Sequence, residues 1–276
     1  MKFTSIGDCC IDIYSKEKKS FLGGGAFNVA YFAKLAGAKV HIISSVGKDA
    51  YGESYLHQCK QMKIDTKFLE CIPGKTSTIE ITLHKTTPEY GAWDLGVLKG
   101  RLLRQDEKKI LLTQDIAHGI LFTPIEDLFR QFCTLGLPNT LKIGDFSAGT
   151  YSQSITAIDT YAKGLDVFVK SMNKTNTHEV TFFKDFAKKN KKICIALLGD
   201  KGSIVFAHER VHICPALAVN NVVDTSGAGD AYIANFAYVY IKTKNIPLAM
   251  KKATSVAAHV IGRLGVTGEE IYVNSS

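Results

Sequence analysis

The sequence predicts an α/β fold, in which helices cover both faces of a mostly parallel central sheet and a small β-sheet forms a lid. Three observations support this prediction. Short apolar, β-branched runs alternate with helical patterns near the N-terminus and again after residue 116, an alternation typical of a parallel sheet between two helical layers. Between residues 69 and 103 this alternation stops. Polar and apolar residues alternate there as they do in half-exposed strands.

The N-terminal elements follow one another as strand, extended segment, helix, strand and helix. Apolar, β-branched runs predict the strands, and apolar residues at helical spacing predict the helices, the first of which ends before Gly37. The predicted ranges are a strand at Phe3–Ile6, an extended segment at Asp8–Tyr14, a helix at Gly23–Ala36, a strand at Lys39–Val46 and a helix at Tyr51–Met62.

The segment that interrupts the alternation predicts a hairpin. Polar and apolar residues alternate along Thr76–Leu83, Thr86–Glu89 has the composition of a turn, and Tyr90–Leu98 can return as a second strand. Such a hairpin keeps one face exposed, so it does not fit a sheet that is covered on both faces. We therefore expect a separate small sheet, joined by a strand near residue 11, with lid segments at about residues 11–22 and 69–103.

The strand–helix alternation resumes in the C-terminal half. No low-complexity linker interrupts the chain, so we expect a single domain over residues 1–276 with the lid segments inserted in it. Pro247 stands in the first turn of the last predicted helix, where proline is well tolerated. The predicted elements are strands at Ile116–Phe122, Leu141–Phe146, Leu165–Val169 and Ile193–Leu198, and final helices at Gly227–Lys242 and Pro247–Leu264.

Composition argues against several classes of protein. With 46% hydrophobic and 22% charged residues among 276, the chain has the composition of an ordinary globular protein. No apolar run reaches the ~18–20 residues of a membrane span, and the first residues lack the pattern of a signal peptide. Seven cysteines without a C-x-x-C spacing indicate reduced thiols, so we expect a cytoplasmic protein without a membrane partner.

The net charge of +8 fits either a nucleic-acid partner or an anionic small-molecule substrate. The lysines are scattered and are not interleaved with aromatic residues, as a single-strand groove requires, so we expect no nucleic-acid partner. Residues 74–76 (Gly-Lys-Thr) do not complete a P-loop, because Leu69 stands where its first glycine belongs. Residues 23–25 (Gly-Gly-Gly) do not begin a dinucleotide motif, because its sixth place is Asn28.

Residues 224–230, Asp-Thr-Ser-Gly-Ala-Gly-Asp, carry the strongest chemical signal. A long apolar segment follows them and predicts a buried helix that begins near Gly227. The first amides of a helix have no internal acceptor and carry the positive end of its dipole, and small side chains let an anion approach them closely. Asp230 would then lie beside bound phosphate, where its carboxylate can accept the proton of an attacking hydroxyl group.

Four motifs in the same order resemble those of the ribokinase-like (PfkB-type) sugar kinases. Residues 224–230 resemble the family's D-T-x-G-A-G-D signature, and the Gly-Gly block with Asn28 and Ala30 resembles its N-terminal signature. Residues 46–52 are similar to V-G-x-D-x-x-G, and residues 198–203 to L-G-x-x-G. The resemblance implies a three-layer α/β/α sandwich and a β-lid that covers the sugar and often makes dimer contacts, so we expect a homodimer through the lid.

The resemblance also implies roles for residues of the sugar site. The backbone amides of Gly227, Ala228 and Gly229 would hold the transferred phosphoryl group, with Asp230 as the catalytic base. An aspartate at the position of Asp12 binds sugar hydroxyl groups in the family, although Asp8 lies on the same alternation and could take that role. The further expected substrate-binding residues are Gly24, Asn28 and Trp93, of which Trp93 would line the lid.

The nucleotide and metal sites follow from the same resemblance. Asn176 and Glu179 fit an N-x-x-E element that organises Mg²⁺ and phosphate through water, although Asn173 could also begin it. Leu197 departs from the threonine that is common before the Leu-Gly pair, which puts one phosphate contact in doubt. The other expected nucleotide-binding residues are Gly199, Gly202 and Thr225, and Asp224 and Ser226 match positions that often frame a potassium ion.

The predicted function is ATP-dependent phosphorylation of a hydroxyl group on a small sugar-type substrate. Residues 6–14, 21–30, 115–118 and 145–147 resemble those members of the family that phosphorylate the 6-hydroxyl of fructoselysine and related fructosamines, whereas residues 92–94 depart from their lid pattern. Fructose, another ketose or a nucleoside are the alternative substrates. A non-catalytic protein that binds sugar or nucleotide is a remote alternative, because Asp230 and the glycines before it are present.

Overall fold

The computed structural model describes residues 1–147, 151–152, 154–172, 177–207 and 209–271. The strands in these residues are β1 (Lys2–Ile6), β2 (Cys10–Tyr14), β3 (Lys19–Gly23), β4 (Lys39–Gly47), β5 (Leu69–Ile72), β6 (Ser77–His84), β7 (Thr87–Asp94), β8 (Ile116–Ile120), β9 (Leu141–Asp145), β10 (Val167–Ser171), β11 (Ile193–Leu197), β12 (Ser203–Ala207) and β13 (Arg210–Cys214). The helices are α1 (Gly25–Leu35), α2 (Ala50–Gln61), α3 (Gln105–Leu111), α4 (Glu126–Thr134), α5 (Thr177–Asn190), α6 (Ala228–Thr243) and α7 (Ile246–Val260).

A nine-stranded sheet within the described residues forms the centre of the molecule. Its strand order is β13-β12-β11-β10-β9-β8-β1-β4-β5. Seven neighbouring strands of this sheet, β11, β10, β9, β8, β1, β4 and β5, pair in parallel. The strands β12 and β13 form an antiparallel hairpin at the β11 edge. The predicted α/β fold with a mostly parallel sheet is confirmed, but the sequence reasoning did not predict the β12–β13 hairpin.

Helices cover the sheet on both faces and give the three layers that the pattern predicts. One apolar core contains buried residues of α1, α2, α6 and α7, and the other contains buried residues of α3, α4 and α5. Successive residues of a strand point to opposite faces, so Phe3 packs in the first core and Ile6 in the second. Among the described residues, no helix combines the length and the apolar character that crossing a bilayer requires.

The second, four-stranded sheet has the order β3-β2-β6-β7. The sequence placed the turn of its hairpin at Thr86–Glu89, and this position is wrong. His84 pairs with Thr87, so only Lys85 and Thr86 form the turn, with Lys85 at a φ of 61°. Pro88 lies inside β7. Proline is tolerated there because β7 is the edge strand, where a missing N–H group need not break a ladder bond.

One boundary of the predicted lid also needs correction. Residues 69–72 form β5, which pairs in parallel with β4 in the large sheet, so the lid strand of this segment starts only at Ser77. At the other end, Arg101 is buried, donates a hydrogen bond from Nε to Ser45 Oγ at 2.9 Å and is bonded to Glu107. These contacts join the end of the segment to the body of the molecule and leave the β6–β7 hairpin as its projecting part.

Candidate active site at the carboxyl edge of the large sheet

A cleft of about 190 Å³ lies between the carboxyl ends of the large sheet's strands and the small sheet. This is the place where open α/β sheets bind their ligands. Both sheets and the N-terminal ends of α1 and α6 contribute residues. Those used below are Asp8, Asp12, Gly24, Asn28, Trp93, Phe122, Asp145, Ser147, Tyr151, Thr225, Ser226, Gly227, Gly229 and Asp230.

The start of α6 has the geometry that the sequence predicts. Gly227 precedes the helix at a φ of 73°, a left-handed conformation that favours glycine. A Cβ atom at this position would stand 2.7 Å from both γ-carbons of Val266, so there is also no room for a side chain. Gly227 and Gly229 line the cleft. The first amides of α6 can therefore face an anion that enters it.

The turn before α6 is fixed by Asp224, which is buried. Its Oδ2 accepts hydrogen bonds from the hydroxyl of Tyr14 at 2.6 Å and the amide of Gly265 at 3.0 Å. Its Oδ1 accepts a bond from the amide of Ser226 at 2.8 Å. Three donors thus hold one carboxylate and join the small sheet to the start of α6. The potassium ion predicted beside Asp224 and Ser226 stays a prediction.

Asp230 lies in the first turn of α6 and faces α1 across the cleft. The side-chain amide of Asn28 donates a hydrogen bond to Asp230 Oδ2 at 2.9 Å. The carbonyl Oδ1 of Asn28 is buried and has no hydrogen-bond partner among the described residues. A buried acceptor without a partner is rare and costs free energy. Asn28 thus orients Asp230 with one end of its amide group and offers an acceptor to a ligand with the other.

The remaining predicted sugar-site residues lie where β2 and α1 meet. Asp12 on β2 lines the cleft together with Gly24, which precedes α1 at a φ of 84°. A Cβ atom at Gly24 would stand 2.6 Å from the carbonyl oxygen of Asp8, so the backbone passes too closely for a side chain. Asp8 itself accepts a bond from the amide of Gly25 at 3.1 Å and also lines the cleft. The structure therefore brings both candidate aspartates to the same place.

Four carboxyl groups face the cleft, and their proximity to one another and their burial set their pKa values. Burial raises the pKa of Asp230 to about 8, and the negative charge of Asp145 contributes to this rise. Burial raises the pKa values of Asp8 and Asp145 to about 6. The pKa of Asp12 is raised by burial first and then by the charges of Asp8, Asp224 and Asp230. The cleft thus concentrates carboxyl groups, and their crowding opposes the ionisation of all four together.

Aromatic rings form the wall of the cleft between the small sheet and the ends of β8 and β9. The ring of Trp93, on β7, packs edge-on against Phe122 at 5.4 Å and Tyr151 at 5.0 Å between ring centroids. Its indole Nε1 donates a hydrogen bond to Ser77 Oγ at 2.8 Å, and the hydroxyl of Tyr151 donates to the carbonyl of Gly91 at 2.7 Å. The expected position of Trp93 on the lid agrees with this geometry.

Some predicted nucleotide-site residues do not line this cavity. Gly199 and Gly202 stand at the turn between β11 and β12, and Glu179 lies in the first turn of α5. Asn173 and Asn176 lie outside the described residues. Thr225 does line the cleft, but its amide and hydroxyl both donate to the carbonyl oxygen of Thr86, at 2.9 and 3.2 Å. This residue therefore contacts the tip of the β6–β7 hairpin.

Sequence reasoning missed Asp145 and Tyr14 as residues of the site. Asp145 ends β9, and the carboxyl ends of parallel strands are where ligand-binding groups occur, so its position at the end of a predicted strand could have indicated it. No such signal exists for Tyr14, because its partner Asp224 is 210 residues away in sequence. Only the folded chain brings this pair together.

A family model decides the assignment. The model of the pfkB family carbohydrate kinases matches residues 2–100 and 161–271. The chain belongs to this family. The resemblance inferred from the four motifs is confirmed, and the protein is a sugar or nucleoside kinase of the ribokinase type. Its reaction is therefore the transfer of a phosphoryl group to an alcohol group.

Several curated relatives share most of their length with the chain. A fructoselysine 6-kinase from Shigella flexneri is 29% identical over 257 residues, which cover 93% of this chain and 96% of the relative. A fructosamine kinase from Bacillus subtilis (strain 168) is 24% identical over 272 residues, which cover 97% and 93%. A ribokinase from Lactococcus lactis is 26% identical over 267 residues, which cover 89% and 81%.

Solved structures show the same fold. The ribokinase of Arabidopsis thaliana, in complex with ribose and ATP, has a TM-score of 0.79 and 16% identity, and the match covers 96% of this chain and 94% of that one. A nucleoside kinase from Methanocaldococcus jannaschii has a TM-score of 0.77 and 19% identity, with 96% and 93% covered. At these identities the likeness concerns the fold, and the predicted ribokinase-like sandwich is confirmed.

Proposed function

We propose that the protein phosphorylates the 6-hydroxyl group of fructoselysine or a closely related fructosamine with ATP. The observation that carries this proposal is the acidic lining of the cleft. Four carboxyl groups line it, and no Lys, Arg or His side chain of the described residues does. Such a lining favours a cationic or neutral sugar and disfavours a sugar phosphate. A fructosamine carries a secondary amine that is protonated near neutral pH, so its charge is complementary to the site.

Asp230 is the proposed base of the reaction. The substrate hydroxyl attacks the γ-phosphorus of ATP, a P–O bond forms while the bond to ADP breaks, and the proton passes from the hydroxyl to Asp230. In a loose transition state this proton can leave late, so the main task of the carboxylate is to orient the hydroxyl group. Asn28 holds Asp230 by the 2.9 Å hydrogen bond to Oδ2. Asp12, Gly24 and the free oxygen of Asn28 are the proposed contacts of the sugar.

The start of α6 is the proposed site of the transferred phosphoryl group. The amides of Gly227, Ala228 and Gly229 can donate to its oxygens as negative charge shifts during transfer. Mg²⁺ prefers oxygen ligands and often binds through phosphates and water. Among the described residues no group of three or more His, Cys, Asp or Glu could hold a metal ion by itself. This fits an ion that arrives with ATP, with Glu179 as its water-mediated contact.

The turn between β11 and β12 is the proposed second part of the nucleotide site. Gly199 and Gly202 have φ values of 56° and 86°, and a Cβ atom at Gly202 would overlap the carbonyl oxygen of Cys214. The proposed role of this turn is to let ATP approach the backbone closely.

We also propose that the lid segments belong to one kinase domain in the cytoplasm. A homodimer through the lid remains part of the proposal.

The experiment that tests this function is a coupled assay of ADP release with Mg²⁺-ATP over a panel of acceptors. The panel contains fructoselysine, fructose, ribose, tagatose, fructose 6-phosphate and adenosine. We expect the highest kcat/KM with fructoselysine and almost no turnover of fructose 6-phosphate, because its phosphate would meet the four carboxyl groups. A higher kcat/KM with fructose or adenosine would reject the substrate and keep the kinase. No turnover with any acceptor, despite ATP binding, would favour a non-catalytic binding protein.

A further inference from the structure

A group of side chains beside the proposed sugar contacts takes no direct part in the phosphoryl transfer described above. It consists of the aromatic rings of Trp93, Phe122 and Tyr151 and the carboxyl group of Asp145, and we call it the aromatic–acid subsite. All four residues line the cleft. None of them contacts Asn28 or the first turn of α6 through a hydrogen bond of the described residues. The subsite therefore lies beside the catalytic groups and is available to another part of the substrate.

The rings of the subsite are held in place by polar contacts at their edges. The indole N–H group of Trp93 donates to Ser77 Oγ at 2.8 Å, and the hydroxyl of Tyr151 donates to the carbonyl of Gly91 at 2.7 Å. The backbone of Tyr151 is in turn bonded to Thr123, one residue after Phe122, with an N–O distance of 3.1 Å. The polar atoms of Trp93 and Tyr151 thus bond to the protein, so these side chains present aromatic carbon to the cleft that they line.

Asp145 adds a carboxyl group to these rings. It ends β9, and its Oδ1 accepts a hydrogen bond from the amide of Ser147 at 2.8 Å. No hydrogen bond from the described part of the chain reaches its Oδ2. Burial raises the pKa of Asp145 to about 6, although the hydrogen bond from Ser147 and the charge of Lys170 favour its ionised form. Near neutral pH this carboxyl group is therefore negatively charged.

Aromatic faces and a carboxylate together match one ligand chemistry, an alkyl-substituted ammonium group. The cation interacts with the electron-rich ring faces and with the carboxylate, while the attached alkyl chain packs on apolar ring surface. A plain sugar has no group of this kind. A sugar phosphate would be repelled by Asp145. The chemistry of the subsite thus distinguishes amine adducts of a sugar from the sugar itself.

We propose that the aromatic–acid subsite binds the substituted ammonium arm of the substrate and thereby selects sugar–amine adducts over free ketoses. This inference rests on the proposed function and adds the residues that decide the substrate. Phe122, Asp145 and Tyr151 then act as specificity-determining residues, and Trp93 contributes the lid's part of the subsite. Because the rings come from both the small sheet and the body, the bound amine arm also contacts both sides of the cleft.

The test compares two acceptors that differ at one position, 1-amino-1-deoxyfructose and fructose, in the purified full-length enzyme. The first carries an ammonium group on C1 where the second carries a hydroxyl group. The measured quantity is the ratio of their kcat/KM values. We expect wild type to favour the ammonium sugar by at least tenfold and Asp145→Asn to lower this ratio at least fivefold. The asparagine keeps an oxygen that can accept the bond from Ser147, so the loop is retained.

Two further variants separate selection from a general loss of activity. Phe122→Leu keeps an apolar side chain but removes the ring, so it should also lower the ratio, by about threefold. Asp12→Asn changes a proposed contact of the sugar hydroxyl groups, so it should lower both kcat/KM values and lower the ratio less than Asp145→Asn does. Thermal melting of each variant verifies that it is folded under the assay conditions.

Each outcome decides a different point. A wild-type preference that Asp145→Asn and Phe122→Leu both leave within twofold would overturn the subsite and keep the fructosamine kinase. An equal loss for both acceptors in Asp145→Asn would also overturn it, because selection requires a change in the ratio. No preference in wild type would reject the proposed fructosamine substrate, and the subsite with it. A lowered ratio in Asp145→Asn and Phe122→Leu, with a smaller change in Asp12→Asn than in Asp145→Asn, supports the subsite.

Discussion

The two ends of the cleft interact with negative charge in opposite ways, because one end carries carboxyl groups and the other carries backbone amides. At the carboxylate end, Asp8, Asp12 and Asp145 face the cavity without any cationic side chain of the described residues in its lining. At the amide end, the start of α6 presents backbone N–H groups and no side chain larger than a methyl group at residues 227–229. Asp230 stands where these two ends meet.

This difference explains how one small cleft can hold two reactants of opposite character. A helix N-terminus attracts phosphate through fixed dipoles, so the amide end needs no lysine or arginine. Carboxyl groups would repel phosphate and favour hydroxyl donors or a cation, so the carboxylate end orients the acceptor. Burial raises the pKa of the group at the junction, Asp230, and the negative charge of Asp145 adds to this rise. The following changes test this division, beginning with the largest expected effect.

Removal of the charge at the junction should nearly abolish turnover. Asp230→Asn keeps the shape of the side chain but cannot accept the proton, and we expect kcat to fall by about 10²–10⁴-fold with little change in ATP affinity. Steady-state kinetics and calorimetric ATP binding measure the two effects. Asp127→Asn, on the exposed face of α4, is the matched control and should stay within twofold of wild type. Turnover of Asp230→Asn within tenfold of wild type would reject this base.

Distortion of the amide end should reduce kcat by about 10–100-fold. In Gly227→Ala the new Cβ atom would meet Val266 at 2.7 Å, and alanine disfavours the φ of 73°. Strain of this kind costs about 1–3 kcal/mol, so the melting temperature should fall as well. Gly136→Ala is the control, because a Cβ atom there has no heavy atom within 4 Å. If the two alanine variants behaved alike, the close fit at residue 227 would have no functional importance.

The pH profile tests the coupling between the two ends. Asp230 must be ionised to accept a proton, and its pKa is raised to about 8, so kcat/KM should fall about tenfold per pH unit well below this value. Asp145→Asn removes a charge that raises the pKa of Asp230, so the acidic limb should move to lower pH. The inflection of the profile measured with fructose reports this shift apart from any change in rate. An unmoved inflection would show that the two groups are not coupled.

The contact between the lid and the D-T-S-G turn should have the smallest effect. Thr225→Val removes one of two hydrogen bonds to the carbonyl of Thr86, worth about 1 kcal/mol, so the KM of the sugar should rise about fivefold. Thr225→Ser keeps the hydroxyl group and should remain within twofold. A rise confined to the KM of ATP would instead support the contact with the nucleotide that the sequence predicts for Thr225.

Most of the fold could be predicted from the sequence. Strands buried on both faces need continuous apolar, β-branched runs, so β1, β4 and β11 could be recognised to within one or two residues. The hairpin turn was misplaced because proline is usually read as a turn residue, and an edge strand tolerates it. The short β5 was assigned to the lid because four residues carry too little pattern to show which sheet they join.

The sequence by itself determined the part of the site whose residues are neighbours along the chain. Gly227, Gly229 and Asp230 lie in one helix turn, so their geometry follows from local backbone structure. Only the tertiary structure decided the relations between distant segments, such as Tyr14 with Asp224 and Asn28 with Asp230. The same holds for the meeting of Trp93 with Phe122 and Tyr151. Pairs of this kind depend on which strands lie side by side, and no local pattern of residues encodes that order.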